Sequence, residues 1–178
     1  MEFSRLGIKL FAADSSAVRV KDFVQIFHSW IQKQCVENHQ LIDVHDYSHI
    51  HHGPGILLVA HEGNFSTDLA EGKPGLAYFR KQLAGGTSEE TLRASLKAAL
   101  HAASLIEAES NLEGRVRFLK DKLVVISNDR LLAPNNAATF EEVKPTLVKV
   151  FGARAGFTHA SAGTKDRLTV LVSGTQVS

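Results

Sequence analysis

The chain has 178 residues, 44% of them hydrophobic and 22% charged, with a formal net charge of +1 from 20 Lys and Arg against 19 Asp and Glu. That length and composition fit one globular domain able to bury a sizeable core without staples. The near balance of charge, with no Lys/Arg run interleaved with aromatics, argues against a nucleic-acid binder.

Gly7 to Ala12 reads as a first strand, with Ile8, Leu10 and Ala12 on one face. Val20 to Gln34 reads as a helix, because Val20, Phe23, Val24, Phe27, Trp30 and Ile31 recur at helical spacing. Cys35, the only cysteine, excludes an intramolecular disulfide and a thiolate zinc site. It is expected to be an inert apolar residue, His39 being the only nearby base. Leu41 to Ile50 is expected as a strand and His51 to Gly55 as a turn. Ile56 to His61 follows as a central strand covered on both faces.

Strand character continues through Gly63 to Thr67, and Leu76 to Lys81 alternates as another strand. Thr87 with Glu90 forms a capping box for a helix to about Glu109, with an apolar stripe at Leu92, Leu96, Ala99, Leu100, Ala103 and Ile106. Arg115 to Leu119 and Leu123 to Ser127 are expected as a hairpin around Lys120, Asp121 and Lys122. Phe140 to Phe151 is a third helix, stopped by Gly152. Pro145 implies that it starts near Glu142 or is kinked. Phe157 to Ala160 and Leu168 to Ser173 are the last strands.

These elements define a single α+β domain over residues 1–178, with an antiparallel or mixed sheet and three main helices. A βαββ order recurs at residues 7–64 and 122–174, to be read either as a duplicated unit or as chance, since βαββ is common in α+β folds. The longest apolar run, Ile56 to Ala60, is far too short to cross a bilayer. The amino terminus lacks the basic and apolar regions of a signal peptide, so a cytoplasmic protein without membrane contact is expected.

Five of the nine histidines fall between His45 and His61, interleaved with carboxylates. Imidazole is the commonest metal ligand and titrates near neutrality. On a strand, Asp43, His45, Tyr47, His49 and His51 share one face. If the turn Gly53, Pro54, Gly55 pairs Ile50 with Ile56, His45 stands opposite His61, with Asp43 and His49 flanking. Four such ligands suit a divalent transition metal. A one-residue slip turns His61 to the other face. A second reading makes His45, Asp46, His61 and Glu62 acid–base groups of a metal-free enzyme on a small polar substrate. A third, preferred, is a non-catalytic binding or assembly protein. His51 and His52 read as solvated turn residues.

Phe27, His28, Trp30, Ile31 and Gln32, then Ile42, Asp43, Asp46, Tyr47, Ser48 and His49, then Gly53 to Gly55 with His61 and Glu62, resemble a family of uncharacterised bacterial proteins over roughly the first 80 residues. The resemblance implies a bacterial cytosolic protein and attaches no activity. A homodimer is expected, on the view that the stretch Leu168 to Ser173 is an exposed sheet edge needing protection.

Overall fold

The computed structural model describes residues 3, 5–82, 86–160, 163 and 165–177. Eight strands form one sheet: β1 (Leu6–Ala12), β2 (Leu41–Tyr47), β3 (Gly55–Ala60), β4 (Gly63–Ser66), β5 (Gly75–Arg80), β6 (Phe118–Ser127), β7 (Gly156–His159) and β8 (Thr169–Ser173). Its order is β2-β3-β4-β5-β1-β6-β8-β7, and each pairing is antiparallel. With three α-helices, α1 (Asp22–Lys33), α2 (Ser88–Glu107) and α3 (Ala137–Phe151), this is an α+β fold. No helix among the described residues is long and apolar enough to cross a membrane.

The helices cover one face. Ile8, Leu10, Leu58, Phe65, Tyr78, Val125 and Val170 point to that side and join Phe27, Trp30, Leu92, Ala99 and Leu147 in one buried cluster. Fully burying each large side chain contributes roughly 1.5–3 kcal/mol. The alternate strand residues point the other way. Ala77, Val124 and Ile126 are buried there but stand outside the helix-side cluster. That second face carries loops rather than helices, and the cavity beside Arg167 described below opens on it.

Local chemistry explains the helix limits. Thr87 Oγ1 accepts from the Glu90 N–H at 3.2 Å, and Glu90 Oε2 accepts from the Thr87 N–H at 3.1 Å, the expected capping box. The α3 helix begins earlier than its sequence suggests. Asn136 Oδ1 caps it by accepting from the Thr139 N–H at 2.9 Å, so Pro145 lies inside the helix. Pro145 and Glu141 are both exposed, so water can reach the Glu141 carbonyl that loses its helical partner.

Three sequence expectations are corrected. The segment from Phe118 to Ser127 is one strand rather than a hairpin. The Lys120 and Asp121 carbonyls accept from the backbone N–H groups of Val177 and Gly174, so the charged triplet continues the ladder while its side chains face water. The stretch Leu168 to Ser173 is no edge, because β8 is paired on both sides; the edge strands are β2 and β7. Third, β2 stops at Tyr47. Asp46 Oδ1 accepts from the Ser48 N–H at 2.8 Å and the Ile50 N–H returns to the Tyr47 carbonyl at 2.9 Å, which turns the chain before His49. In the first βαββ stretch, β4 and β5 separate β3 from β1.

Candidate functional site

The early turn resets the histidine register. Tyr47 pairs with Gly55, His45 with Leu57 and Asp43 with Val59. His61 lies past the end of β3, where its N–H bonds the Gln40 carbonyl at 2.9 Å. His45 pairs with Leu57, so His61 is four strand positions further on, about 13 Å at a rise of 3.3 Å per residue. Their expected opposition is corrected: a turn closing at residues 47 and 55, not 50 and 56, displaces the partner.

Asp43, His45 and Tyr47 do share a face, with His45 Nε2 3.5 Å from Asp43 Oδ2 and its ring 6.1 Å from that of Tyr47. His49 sits in the exposed turn. His61 Nε2 accepts from the Gln82 amide at 3.0 Å. Among the described residues, no three His, Cys, Asp or Glu side chains converge to hold a metal ion. Neither ring nitrogen of His39 serves Cys35. Nδ1 bonds the Glu37 carbonyl at 2.8 Å and Nε2 the Tyr78 hydroxyl at 2.7 Å. Burial pushes the Cys35 thiol up, away from thiolate character.

The Gly-Pro-Gly turn instead borders a cavity of about 300 Å³ on the loop-covered face. Its floor is Leu57, Asn64, Ser66 and Phe79, and its rim includes His52, Asp68, Asn128 and Arg167. The turn is stitched to the far wall. The Leu69 N–H donates to the Gly53 carbonyl at 2.9 Å, and the Ile56 N–H to Thr67 Oγ1 at 3.0 Å. Gly55 has φ +66°, and a Cβ there would run into Thr67, so glycine is required both by conformation and by space.

A buried ion pair holds that wall down. Lys9 projects from the middle of β1 onto this face, and its Nζ lies 2.9 Å from Asp68 Oδ2 and donates to the Ala70 carbonyl at 3.2 Å. The two side chains are only 5% and 11% exposed. Opposite, Arg167 Nη1 donates to Asn128 Oδ1 at 2.9 Å while its guanidinium lies 5.3 Å from the centroid of the Phe79 ring. Phe79 in turn lies flat enough to occupy the space a Cβ on Gly7 would need.

One polar atom on the floor is unsatisfied. Asn64 Oδ1 is buried and accepts no hydrogen bond. Such atoms are few in folded proteins, and each calls for a water, a ligand or another cause. The cavity therefore combines apolar floor, an orphan acceptor and a cationic rim. Its one buried carboxylate, Asp68, is committed to Lys9.

Apart from His52, Gly53 and Pro54, expected only as a turn, the residues that build this cavity escaped the sequence reading, although Lys9 alone among the apolar residues of its strand was a usable signal. Asn64, Asp68, Asn128 and Arg167 carry no spacing that links them. The chain matches no family model, and no curated protein shows significant similarity to it.

Proposed function

We propose that this chain is a non-catalytic binding protein whose ligand sits in the cavity between the Gly-Pro-Gly turn and Arg167. The observation that carries the reading is Asn64 Oδ1, a buried acceptor without a donor at the floor of a cavity of about 300 Å³. A volume at the lower end of the usual range for ligand sites suits a small molecule. The ligand offers an N–H or O–H to Asn64 and an apolar body to Leu57 and Phe79. Both walls are preorganised, one by Lys9 and Asp68, the other by Arg167 and Asn128, which lowers the cost of ordering on binding. The resemblance to bacterial proteins of the first 80 residues supports a bacterial cytosolic setting. Self-association belongs to the same reading, through the β2 edge beside Ile42, 53% exposed.

The test is an NMR screen of the full chain with small primary amides and alcohols. Compounds that bind should shift the amides of Gly53, Asn64, Asp68 and Asn128 saturably, and Asn64→Leu should abolish those shifts while leaving the spectrum folded. Absence of any saturable shift at these residues, or equal shifts in the variant, refutes the proposal. Sedimentation giving the mass of one chain at micromolar concentration refutes the self-association.

A further inference from the structure

We propose that a second cleft, between the turn following α1 and the middle of α2, binds a small oxyanion, a phosphate or carboxylate group, through Arg80 and Lys97. The cleft encloses about 220 Å³, smaller than the roughly 300–1,000 Å³ of sites for drug-sized ligands, and so suits a small group. It lies on the helix side of the sheet and shares no lining residue with the cavity beside Arg167.

Helical periodicity builds one wall. Ala94, Lys97, Ala98 and His101 stand at i, i+3, i+4 and i+7 of α2, so they form a single stripe. The two alanines keep the floor low while Lys97 and His101 rise beside it. Glu37, Asn38 and His39 form the opposite wall, with Asn38 in the left-handed region at φ 57°. Arg80, at the end of β5, closes the third side.

A chain of hydrogen bonds runs around this cleft, and its donors can be assigned. The Glu37 backbone N–H, which can only donate, reaches His101 Nε2 at 3.2 Å, so that nitrogen is the acceptor. The Glu37 carbonyl, which can only accept, lies 2.8 Å from His39 Nδ1, so that nitrogen carries the proton. His39 Nε2 then accepts from the Tyr78 hydroxyl at 2.7 Å. Burial holds that hydroxyl protonated, and the Arg80 guanidinium beside it is a smaller, opposing influence. The two imidazoles thus grip both sides of one peptide residue and fix the wall, while the charge of the site comes from Arg80 and Lys97.

Those two cations are uncompensated. Among the described residues neither has a carboxylate within ion-pair distance, and Glu37, the one acid of the lining, bonds neither. Arg93, one turn earlier on α2, is the contrast: it is paired with Glu89 at 3.0 Å and caps the Lys149 carbonyl at 2.6 Å. Arg80 Nε donates to the Gln82 carbonyl at 2.8 Å, which anchors the side chain and leaves terminal guanidinium donors for a ligand. A concave site with two unpaired cations draws an anion, and a guanidinium matches the geometry of an oxyanion.

The experiment is an NMR titration of the full chain with inorganic phosphate, and in a parallel arm with acetate. At least one anion should shift Asn38, His39, Ala98 and His101 along one saturable curve, and the tighter of the two identifies which oxyanion the site prefers. Lys97 is exposed and, among the described residues, makes no hydrogen bond or ion pair, so Lys97→Gln should leave the fold intact. It should weaken Kd roughly tenfold, the scale of one charged hydrogen bond. Arg93→Gln should leave Kd unchanged. Shifts that fail to saturate for both anions, that appear elsewhere, or that respond equally to the two substitutions overturn the proposal.

Discussion

Asp68→Asn tests the device that holds the loop-covered face together. The substitution keeps the shape of the side chain and removes its charge, leaving the Lys9 ammonium, 5% exposed, with neutral acceptors, the Ala70 carbonyl and the amide oxygen, and no counter-ion. Removing one member of a buried pair costs about 3–5 kcal/mol, because the remaining charge is neither hydrated nor compensated. Asp68 is 11% exposed, so some water can reach the site, and the lower end, about 3 kcal/mol, is expected. For a domain of this size that is a fall of roughly 6–12 °C in Tm. With a urea m-value of about 1–3 kcal/mol/M the unfolding midpoint should drop by about 1 M or more. Urea unfolding followed by circular dichroism measures it. The double variant Lys9→Met with Asp68→Leu should recover most of the loss, since an apolar pair of similar volume replaces the ions. A loss below about 1 kcal/mol for Asp68→Asn would show that Lys9 is hydrated and that the pair does not secure the wall.

Four further outcomes follow from the same geometry. Gly7→Ala places a methyl where the Phe79 ring lies and should cost about 1–3 kcal/mol by overpacking, read from thermal unfolding; an unchanged Tm would mean that Phe79 moves freely. Thr87→Ala removes the α2 cap and should cost about 1 kcal/mol in urea unfolding, against no change if Glu90 alone suffices. Burial raises the Tyr78 hydroxyl from the ordinary 10 to about 12. The native state therefore keeps a proton that the unfolded chain loses, so the contribution of Tyr78 is full below pH 10 and is lost as pH rises from 10 to about 12. Stability measured across that window should fall, and Tyr78→Phe should flatten the slope. Finally, His61→Ala should leave any Zn²⁺ affinity measured by calorimetry at His45 and Asp43 unchanged, because about 13 Å separates the two histidines; a coupled loss would restore the bidentate pairing.

The elements of this fold were largely legible because periodicity is local. The α2 stripe and its capping box lie within consecutive turns, and the Gly-Pro-Gly turn announces itself through residue types that break regular structure. The sharing of one face by Asp43, His45 and Tyr47 follows from alternation alone. What failed were the junctions. Asp46 turning the backbone at Ser48 moved the strand pairing by several residues, and no periodicity within Leu41 to Ile50 records where its partner begins. Lys120 to Lys122 look like a turn in sequence, yet the returning carboxy-terminal segment supplies the partners that keep them in the strand.

By itself the sequence determined an α+β chain with three helices, strands at nearly the right places, and glycines where the backbone must bend. Tertiary structure alone decided which polar groups meet. Asn64, Asp68, Arg167 and Lys9 converge because the sheet order brings β4, β5, β1 and β6 side by side, and Arg80 faces Lys97 because α2 crosses back over β5 and β1. Pairing across a sheet is set by which hydrophobic faces bury one another over the whole chain, a nonlocal condition that local spacing does not encode. For that reason the conspicuous histidine cluster spreads along a sheet edge, while the cavity forms from residues that stand far apart in the chain.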